Sequence, residues 1–482
     1  MKACLAPVLA VAALLACEKQ PSGISAITAD ATEMFVTSDP TGAIATVSTN
    51  GSFDLSNPFF QRLGTNGRSC GTCHLQSSGM GLSAASVQAV YASRGLGDPL
   101  FAVVDGANCS SVTAADGAGG HSLLLDNALI RIGLQVPTTG AEFTIAAVSD
   151  PYGCALQGSP LTASVYRRPL PSTNLRFLSA VMFDGRETVQ PLNNGATDQA
   201  NLLFDLTHQA MDATLGHAQA AVSPTPAQLS AIVDFELALS TAQRVDDAAG
   251  VLNAQGANGG PGPLVSAPYY PGINDPLGGN PTGAAFTPTV FTLYTPWASL
   301  SSSNPTSAAR AAVARGQAIF NTHPLAITDV AGLNDALGVP SIPGTCTTCH
   351  NTPNVGNHSL PVPLDIGVSH AAGYETDGQI VAALGQLSVP TLPIFQVSCT
   401  TGPRAGTVRY TSDPGRALIT GKCADIGRVK GPILRGLASR PPFFHNGAAA
   451  SLSQVVAFYN LRFQMGLTEH EVADLIAFLR SL

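Results

Sequence analysis

The same five-residue pattern, Cys-x-x-Cys-His, occurs twice in the chain, at residues 70–74 and at residues 346–350. Two thiols at this spacing can add to the two vinyl groups of one porphyrin, and the adjoining His then lies beneath the iron as its proximal ligand. A zinc site or a dithiol redox site also uses Cys-x-x-Cys, but neither needs His directly after it. The two copies therefore predict two covalently bound haem c groups, held by Cys70, Cys73, His74, Cys346, Cys349 and His350.

Residues 1–17 have the pattern of an export signal. An apolar stretch follows Lys2, is too short to cross a bilayer as a helix, and ends at Cys17. This pattern resembles a bacterial lipoprotein signal, which implies lipidation of Cys17 and, with Glu18 next, sorting to the outer membrane. An ordinary secretory signal with free release is the alternative. Both interpretations place the body of the protein in the periplasm, and the membrane is contacted only through an N-terminal lipid anchor, if at all.

Four cysteines remain once the signal and the haem motifs are set aside: Cys109, Cys154, Cys399 and Cys423. Four thiols permit three pairings. An oxidising compartment favours the pattern in which each bridge closes a loop within one haem region. Its two bridges are Cys109 with Cys154 and Cys399 with Cys423. Each bridge would add roughly 3 to 4 kcal/mol of stability by constraining the unfolded chain.

The composition of the 482-residue chain fits a secreted protein built around a cofactor. Only 11% of the residues are charged, and 48 Gly with 35 Pro predict many loops. The net charge of −8 argues against nucleic acid as a partner and is compatible with a basic redox protein.

Changes in composition divide the chain after the signal into four segments. Residues 18–50 are rich in Ser, Thr, Ala and Gly without a sustained period, which predicts a flexible tether. A first haem domain follows over residues 51–245, with a long loop-rich excursion before Tyr166. Residues 246–305 are dense in Gly, Pro and Asn and predict a connector rather than core. The second haem domain covers residues 306–482.

Apolar periodicity predicts one helix late in the first domain and one early in the second. Thr225 is the expected N-cap of a helix over residues 226–243. An Ala-rich helix is predicted over residues 307–320, where the small residue Gly316 would let another helix approach closely, as in the crossed terminal helices of cytochrome c domains.

Two capping boxes predict the last helices. Ser451 with Gln454 caps one that ends near Tyr459, and Thr468 with Glu471 caps the next. The expected fold is therefore mainly α, with two cytochrome c-like haem domains and long loop-rich insertions.

Three further motifs accompany the two Cys-x-x-Cys-His copies. Residues 181–186 read Val-Met-Phe-Asp-Gly-Arg, residues 427–436 read Gly-Arg-Val-Lys-Gly-Pro-Ile-Leu-Arg-Gly, and residues 442–447 read Pro-Phe-Phe-His-Asn-Gly. In this order they resemble the Phe-Trp-Asp-Gly-Arg, Lys-x-Pro-x-Leu-Arg-Asn and Pro-Tyr-Phe-His-Asp-Gly motifs of the bacterial di-haem cytochrome c peroxidases and their relative MauG. The excursion and the connector lie outside the resemblance.

The resemblance implies different roles for the two haems. The first would react with peroxide, and the second would relay electrons to it. The sixth ligand of the family's relay haem is Met or Tyr, at the position that Tyr459 holds here. A phenolate ligand stabilises ferric iron and lowers the reduction potential relative to Met. His445 and Met465 are the alternative ligands, and a packed ring is the alternative role of Tyr459.

Peroxide cleavage needs a group that moves a proton between the two oxygens. In the family a Glu does this, beyond the Asp-Gly-Arg motif. Here Gln209 resembles part of the family's Glu-Gln-Ala, but no Glu follows it, so His217 or Asp212 would have to substitute. Solvated loop residues are the alternative interpretation. His121, the next His after the first motif, could reach the first iron, but a His at the start of an apolar run is expected to be structural.

Two more positions take their expected roles from the resemblance. The family's inter-haem Trp is Phe183 here, which is harder to oxidise and predicts weaker hole transfer between the haems. A structural calcium ion would draw on Asn174 and on the carbonyls of Arg440 and Pro442, with Arg440 in place of the family's Thr.

These patterns predict an extracytoplasmic di-haem oxidoreductase of the peroxidase type. It would reduce hydrogen peroxide or another small oxidant at the first haem, with electrons from a small redox protein relayed through the second. Two alternatives are a non-enzymatic electron-transfer cytochrome with both irons six-coordinate, and a haem enzyme that oxidises an organic substrate held by the excursion. The sequence leaves the oligomeric state open, a homodimer included.

Overall fold

The computed structural model describes residues 34–51, 53–189, 198–268, 272–280, 283–301, 304–358 and 363–482. The predicted signal and the first part of the predicted tether lie outside these ranges. Across the ranges just given, no helix is both long and apolar enough to span a bilayer.

The described residues form eleven α-helices, labelled in chain order. They are α1 Ala84–Arg94, α2 Ser122–Asn127, α3 Asp198–Gly216, α4 Pro226–Ala238, α5 Pro261–Val265, α6 Pro305–Thr322, α7 Asn334–Leu337, α8 Gly378–Leu384, α9 Ala417–Thr420, α10 Leu452–Arg462 and α11 Glu469–Arg480. Short 3₁₀ turns, including those at both Cys-x-x-Cys-His motifs, connect them.

Twelve strands in the same part of the chain form four small sheets. The strands are β1 Met34–Asp39, β2 Gly42–Ser48, β3 Ile130–Gln135, β4 Phe143–Ser149, β5 Leu156–Gln157, β6 Thr162–Arg167, β7 Leu239–Asp246, β8 Gly250–Val251, β9 Leu325–Thr328, β10 Ser341–Gly344, β11 Ile394–Cys399 and β12 Val408–Thr411. Their orders are β1-β2-β7-β8, β3-β6-β5, β12-β11-β4 and β10-β9, with antiparallel pairing.

The expectation of a mainly α fold is wrong. The described residues are 35% helical, 3₁₀ turns included, with 17% strand, because the long insertions are built from sheets rather than from loop alone. The excursion supplies β3, β4, β5 and most of β6, and β4 pairs with β11 from far along the chain. Strand β4 buries only Phe143, so it shows little of the apolar alternation that predicts a strand.

The sheet β1-β2-β7-β8 corrects two predictions. These are the flexible tether and the length of the helix over residues 226–243. Residues 34–48, assigned to the tether, form the β1–β2 hairpin, and Ile44, Ala45 and Val47 are buried. Helix α4 ends at Ala238, because the chain continues as β7 and pairs with β2. The expected cap is confirmed, since the Thr225 side chain accepts a hydrogen bond from the Gln228 amide.

The predicted connector is also corrected, because part of it is core. Phe291, Tyr294 and Trp297 are fully buried in the cluster that contains α6 and α11. The Tyr294 and Trp297 rings stack at 4.9 Å, and the Trp297 indole donates to the Ala254 carbonyl at 2.9 Å. Large aromatic side chains thus anchor a segment whose Gly and Pro content indicates only loop.

The other predicted helices are confirmed. Helix α6 spans the expected Ala-rich segment. The Ser451 side chain caps α10, which extends beyond Tyr459 to Arg462, and Thr468 with Glu471 forms the capping box of α11.

Arg167 at the end of β6 joins the two halves of the chain through buried ion pairs. Its guanidinium donates to Asp184 at 2.5 Å and to both oxygens of Asp413 at 2.6 and 2.9 Å. All three side chains are at most 1% exposed. Removal of one partner from such a site leaves an uncompensated buried charge, which typically costs about 3–5 kcal/mol.

Helices α6 and α11 cross at Gly316, as the sequence predicts. A Cβ atom at this position would lie 2.0 Å from the Asp474 carbonyl oxygen and 2.7 Å from the Phe478 Cβ. Because both neighbours belong to the partner helix, the backbones approach too closely for any side chain.

We expect Gly316→Ala to destabilise the haem-loaded protein by about 1–3 kcal/mol, since the two helices must separate. Urea unfolding followed by circular dichroism measures the effect. Gly378→Ala in α8 is the matched control, because a Cβ there meets nothing within 4 Å. Equal stability of Gly316→Ala and the wild type would contradict the close crossing.

Candidate haem sites and active site

The two Cys-x-x-Cys-His motifs have the same local structure. Each forms a 3₁₀ turn, Cys70–Thr72 and Cys346–Thr348, with a capping box at its start. The amide of each His donates to the carbonyl of the first Cys, at 3.1 Å in the first motif and 3.0 Å in the second. The turn therefore brings both thiols and the imidazole of each motif to one place.

Each motif His is oriented by a carbonyl six residues further along the chain. The Nδ1 atom of His74 lies 3.1 Å from the Met80 carbonyl oxygen, and that of His350 lies 2.9 Å from the Gly356 carbonyl oxygen. Burial lowers the pKa of His74 to about 4 and also lowers the pKa of His350. Both rings are thus neutral, and Nε2 is left free to bind a metal.

The four motif thiols are unpaired and belong to half-buried residues. Burial raises the pKa of Cys73 to about 11 and the pKa of Cys70, Cys346 and Cys349 to about 12. Zinc binding and dithiol exchange both use the thiolate, so this environment does not favour them.

A large cavity adjoins each motif. The first encloses about 1530 Å³ and the second about 1300 Å³ of space, in part open to solvent. Phe183 and Lys430 line both cavities, so they belong to the wall between them.

A positively charged wall in the first cavity fits the carboxylates of a haem. Among the described residues, four buried cations of this wall form no ion pair: Arg168, Lys430, Arg435 and Arg440. Burial lowers the pKa of Lys430 to about 8 and that of Arg168 to about 9. Buried cations without a counter-charge favour an anionic ligand, and haem carries two propionates. The residues present therefore fit haem at both motifs.

His217 lies on the wall of the first cavity and is held by a buried carboxylate. Its Nδ1 atom is 2.5 Å from Asp105, whose carboxylate also accepts a hydrogen bond from Arg68. Burial raises the pKa of Asp105, but the His217 hydrogen bond and the Arg68 charge outweigh it, so the net pKa lies below its ordinary value. Asp105 is thus ionised, and the Nε2 of His217 is its free ring nitrogen.

Gln209 and Asp212 have different positions, although both lie on α3. Gln209 lines the first cavity on the same helix face as Ala213. Asp212 is exposed and does not line it; it lies 4.0 Å from His208, which binds Glu187 at 2.7 Å. The structure therefore does not bring Asp212 to the site, because it lies one residue before Ala213 and thus about 100° around the helix from it, away from the cavity face.

His121 is structural, as expected. It is buried, its Nδ1 atom lies 2.7 Å from the Gly106 carbonyl oxygen, and it does not line the first cavity.

Three candidate ligands line the second cavity. Tyr459, Met465 and His445 all belong to its wall, with His350. Tyr459 is half-buried and contacts the rings of Phe444 and Phe463. The choice of sixth ligand among the three therefore stays a prediction.

The residues expected to bind calcium do not fit an ion. The Asn174 amide exchanges two hydrogen bonds with the Thr241 backbone, at 2.9 and 3.0 Å, which uses its oxygen. The Pro442 carbonyl accepts a hydrogen bond from the Arg168 guanidinium. The Arg440 guanidinium donates to the carbonyls of Ile433, Arg435 and Gly436. The Arg168 guanidinium thus occupies one of the expected carbonyls, so these contacts do not favour an ion, and calcium at Asn174 and Pro442 stays a prediction.

One of the two expected disulfides is present. Cys399 is bonded to Cys423. Cys109 and Cys154 are unbonded, although their side chains are in hydrogen-bond contact beneath Tyr166.

Arg68, Asp105 and Lys430 are the site residues that sequence reasoning missed. Arg68 lies two residues before Cys70, which is the one local signal. Asp105 is 112 residues from His217 and lies inside the excursion, where nothing in the sequence indicates a partner.

Comparisons with known proteins agree with these features over part of the chain. No family model matches. The chain is similar to bacterial proteins named cytochrome-c peroxidase. It is 39% identical over 82 residues to cytochrome-c peroxidase IdrP1 of Denitromonas iodatirespirans, covering 14% of this chain and 22% of that one. It is 33% identical over 99 residues to cytochrome c551 peroxidase of Nitrosomonas europaea, covering 18% and 30%.

The chain thus spans less than a third of the length of these two relatives. A solved structure titled as a MauG-like protein associated with microbial copper homeostasis aligns with 89% of this chain and 88% of its own, at 14% identity and a TM-score of 0.34.

We expect chelation of calcium to leave the holoprotein unchanged, because the Arg168 guanidinium already donates to the Pro442 carbonyl. Thermal unfolding in excess EGTA and in excess CaCl₂ should give the same midpoint. The Arg440→Thr variant serves as the comparison, since it removes one guanidinium. A lower midpoint of the wild type in EGTA would show that calcium binds after all.

Proposed function

We propose that this protein is an extracytoplasmic di-haem c peroxidase that reduces hydrogen peroxide at the first cavity with electrons that enter through the second. The hydrogen bond between His217 and Asp105 on the wall of the first cavity carries the proposal. The similarity to proteins named cytochrome-c peroxidase supports it. The signal pattern of residues 1–17 supports the periplasm, with a lipid anchor in the outer membrane.

Haem c, when bound, supplies the iron at which peroxide binds and electrons arrive. Asp105 holds Nδ1 of His217, so Nε2 accepts a proton from peroxide as a general base. The ionised Asp105 then stabilises the imidazolium that forms, in the way a buried Asp supports a catalytic His. His217 returns this proton to the oxygen that leaves. Each peroxide takes up two electrons and two protons and gives two waters.

Three further residues have proposed roles at the two cavities. The Gln209 amide offers a hydrogen bond to the bound oxidant. Tyr459 is the proposed sixth ligand at the second haem, and a small redox protein is the proposed electron donor. Phe183 is the aromatic group between the two cavities.

We expect His217→Gln to lower kcat/KM for hydrogen peroxide by about 10²- to 10⁴-fold, because the general base is lost. Peroxide-dependent oxidation of a reduced small cytochrome measures the rate, and haem absorbance confirms loading. His208→Gln and Asp212→Asn are the matched controls on α3, outside the cavity, and should retain wild-type activity. A His217→Gln variant as active as the wild type would refute the assignment.

We expect Tyr459→Phe to raise the reduction potential of the second haem, since a phenolate oxygen stabilises ferric iron. Potentiometric titration and electron paramagnetic resonance of the ferric protein report the change. Met465→Leu and His445→Gln should leave that signal in place. If the signal changes in one of those variants and not in Tyr459→Phe, Tyr459 is not the ligand.

A further inference from the structure

Helices α4 and α11 occupy equivalent places beside the two cavities. In each, a buried Phe packs on the Phe ring that contacts the motif His. The Phe235 and Phe59 centroids are 5.0 Å apart, and the Phe478 and Phe320 centroids are 5.5 Å apart. Phe59 and Phe320 lie 6.2 and 6.0 Å from the His rings of their own motifs.

The residue after this Phe differs between the halves. Glu236 lines the first cavity, whereas Leu479 lines the second. The residue four positions earlier, Ile232 or Leu475, lines the same cavity in each case, so the two helices present the same register. A carboxyl group therefore stands in the first half where the second half has an apolar side chain.

Glu236 has no partner in the described protein. The residue is 6% exposed, its Oε2 atom makes no hydrogen bond, and it forms no ion pair. Burial raises its pKa to about 8. An unsatisfied buried polar group destabilises the folded state, and Leu479 shows that the packing does not require a carboxyl. The presence of an unsatisfied Glu236 carboxyl at this position therefore indicates a role at the cavity.

The elements packed against α4 bring no compensating charge to Glu236. Residues 42–48 and 58–60 carry no titratable side chain. Arg176, in the turn after Asn174, donates to the Leu264 carbonyl. On α3, His208 binds Glu187 and Asp205 accepts from the Val189 amide. Cys70 interacts electrostatically with Glu236. The other titratable or charged groups on the cavity wall are Arg68, Cys73, His74, Asp105, Arg167, Arg168, Arg186, His217, Lys430, Arg435 and Arg440.

We propose that Glu236 is the redox-linked protonation site of the first haem, which takes up one proton when that haem is reduced and releases it on oxidation. The inference rests on the haem site of the proposed function, not on its peroxidase activity. For each electron delivered by the external redox protein, the ionised Glu236 carboxylate binds one proton from solvent. The net charge of the cavity is thereby unchanged, which avoids a buried unpaired charge in either state.

Electrostatics gives the direction in which the reduction potential of the first haem changes with pH. An ionised Glu236 stabilises the ferric state, so the pKa of Glu236 is higher when the haem is reduced than when it is oxidised. Between these two pKa values the reduction potential falls as pH rises. The expected slope is about 59 mV per pH unit, because one proton accompanies one electron.

Spectroelectrochemical titration of the full-length di-haem protein between pH 5 and 10 tests the proposal. We expect one of the two potentials to show the pH-dependent region in the wild type and to lose it in Glu236→Gln. Asp234→Asn, an exposed carboxylate on the same helix, is the matched control and should keep it. Haem absorbance and unfolding midpoint confirm that each variant is folded.

Reduced-minus-oxidised infrared difference spectra give an independent measurement. The carbonyl stretch of a protonated carboxylic acid should appear on reduction in the wild type and in Asp234→Asn but not in Glu236→Gln. An unchanged pH dependence in Glu236→Gln, or its absence from the wild type, would overturn the proposal. Peroxide turnover is measured separately, so that loss of the peroxidase proposal leaves this inference standing.

Discussion

The wall between the two haem cavities depends on the buried charge of Arg167. Asp184 lies next to Phe183, which lines both cavities, and Asp413 lies 3.6 Å from His445 on the wall of the second. By binding both carboxylates, Arg167 fixes one half of the chain against the other at this wall. Because a fully satisfied buried polar network is rigid, this guanidinium helps to fix the spacing of the two cavities.

Local chemistry explains what the sequence could predict. The turn at each Cys-x-x-Cys-His motif and the caps at Thr225, Ser451 and Thr468 use atoms only a few residues apart, and all are present. The strands were missed for the opposite reason. The pairing of β2 with β7 and of β4 with β11 joins segments about 200 or more residues apart. The sequence near each strand therefore does not show which segment it pairs with.

In the candidate site, too, some residues have a local sequence signal and others do not. His217 and Gln209, about two helical turns apart along one segment, both line the first cavity, whereas Asp212 points away from it; the catalytic roles of His217 and Gln209 stay predictions. The Asp105 carboxylate that orients His217 could not be predicted, because Asp105 lies in the excursion, 112 residues before His217 in the sequence. The calcium prediction assumed that carbonyl ligands would be free, whereas the Arg168 side chain donates to the Pro442 carbonyl, which no pattern in the sequence indicates.

The contribution of the second half to the first cavity has a consequence for biosynthesis. Lys430, Arg435 and Arg440 line this cavity, and β11 must be present before β4 is covered. During synthesis the first motif therefore emerges long before its own cavity can close. If haem c is attached as proposed, a porphyrin would meet Cys70 and Cys73 on an open surface, and the last quarter of the chain would then enclose it. The order of chain elongation would thus give covalent attachment a limited period, which ends when the cavity closes.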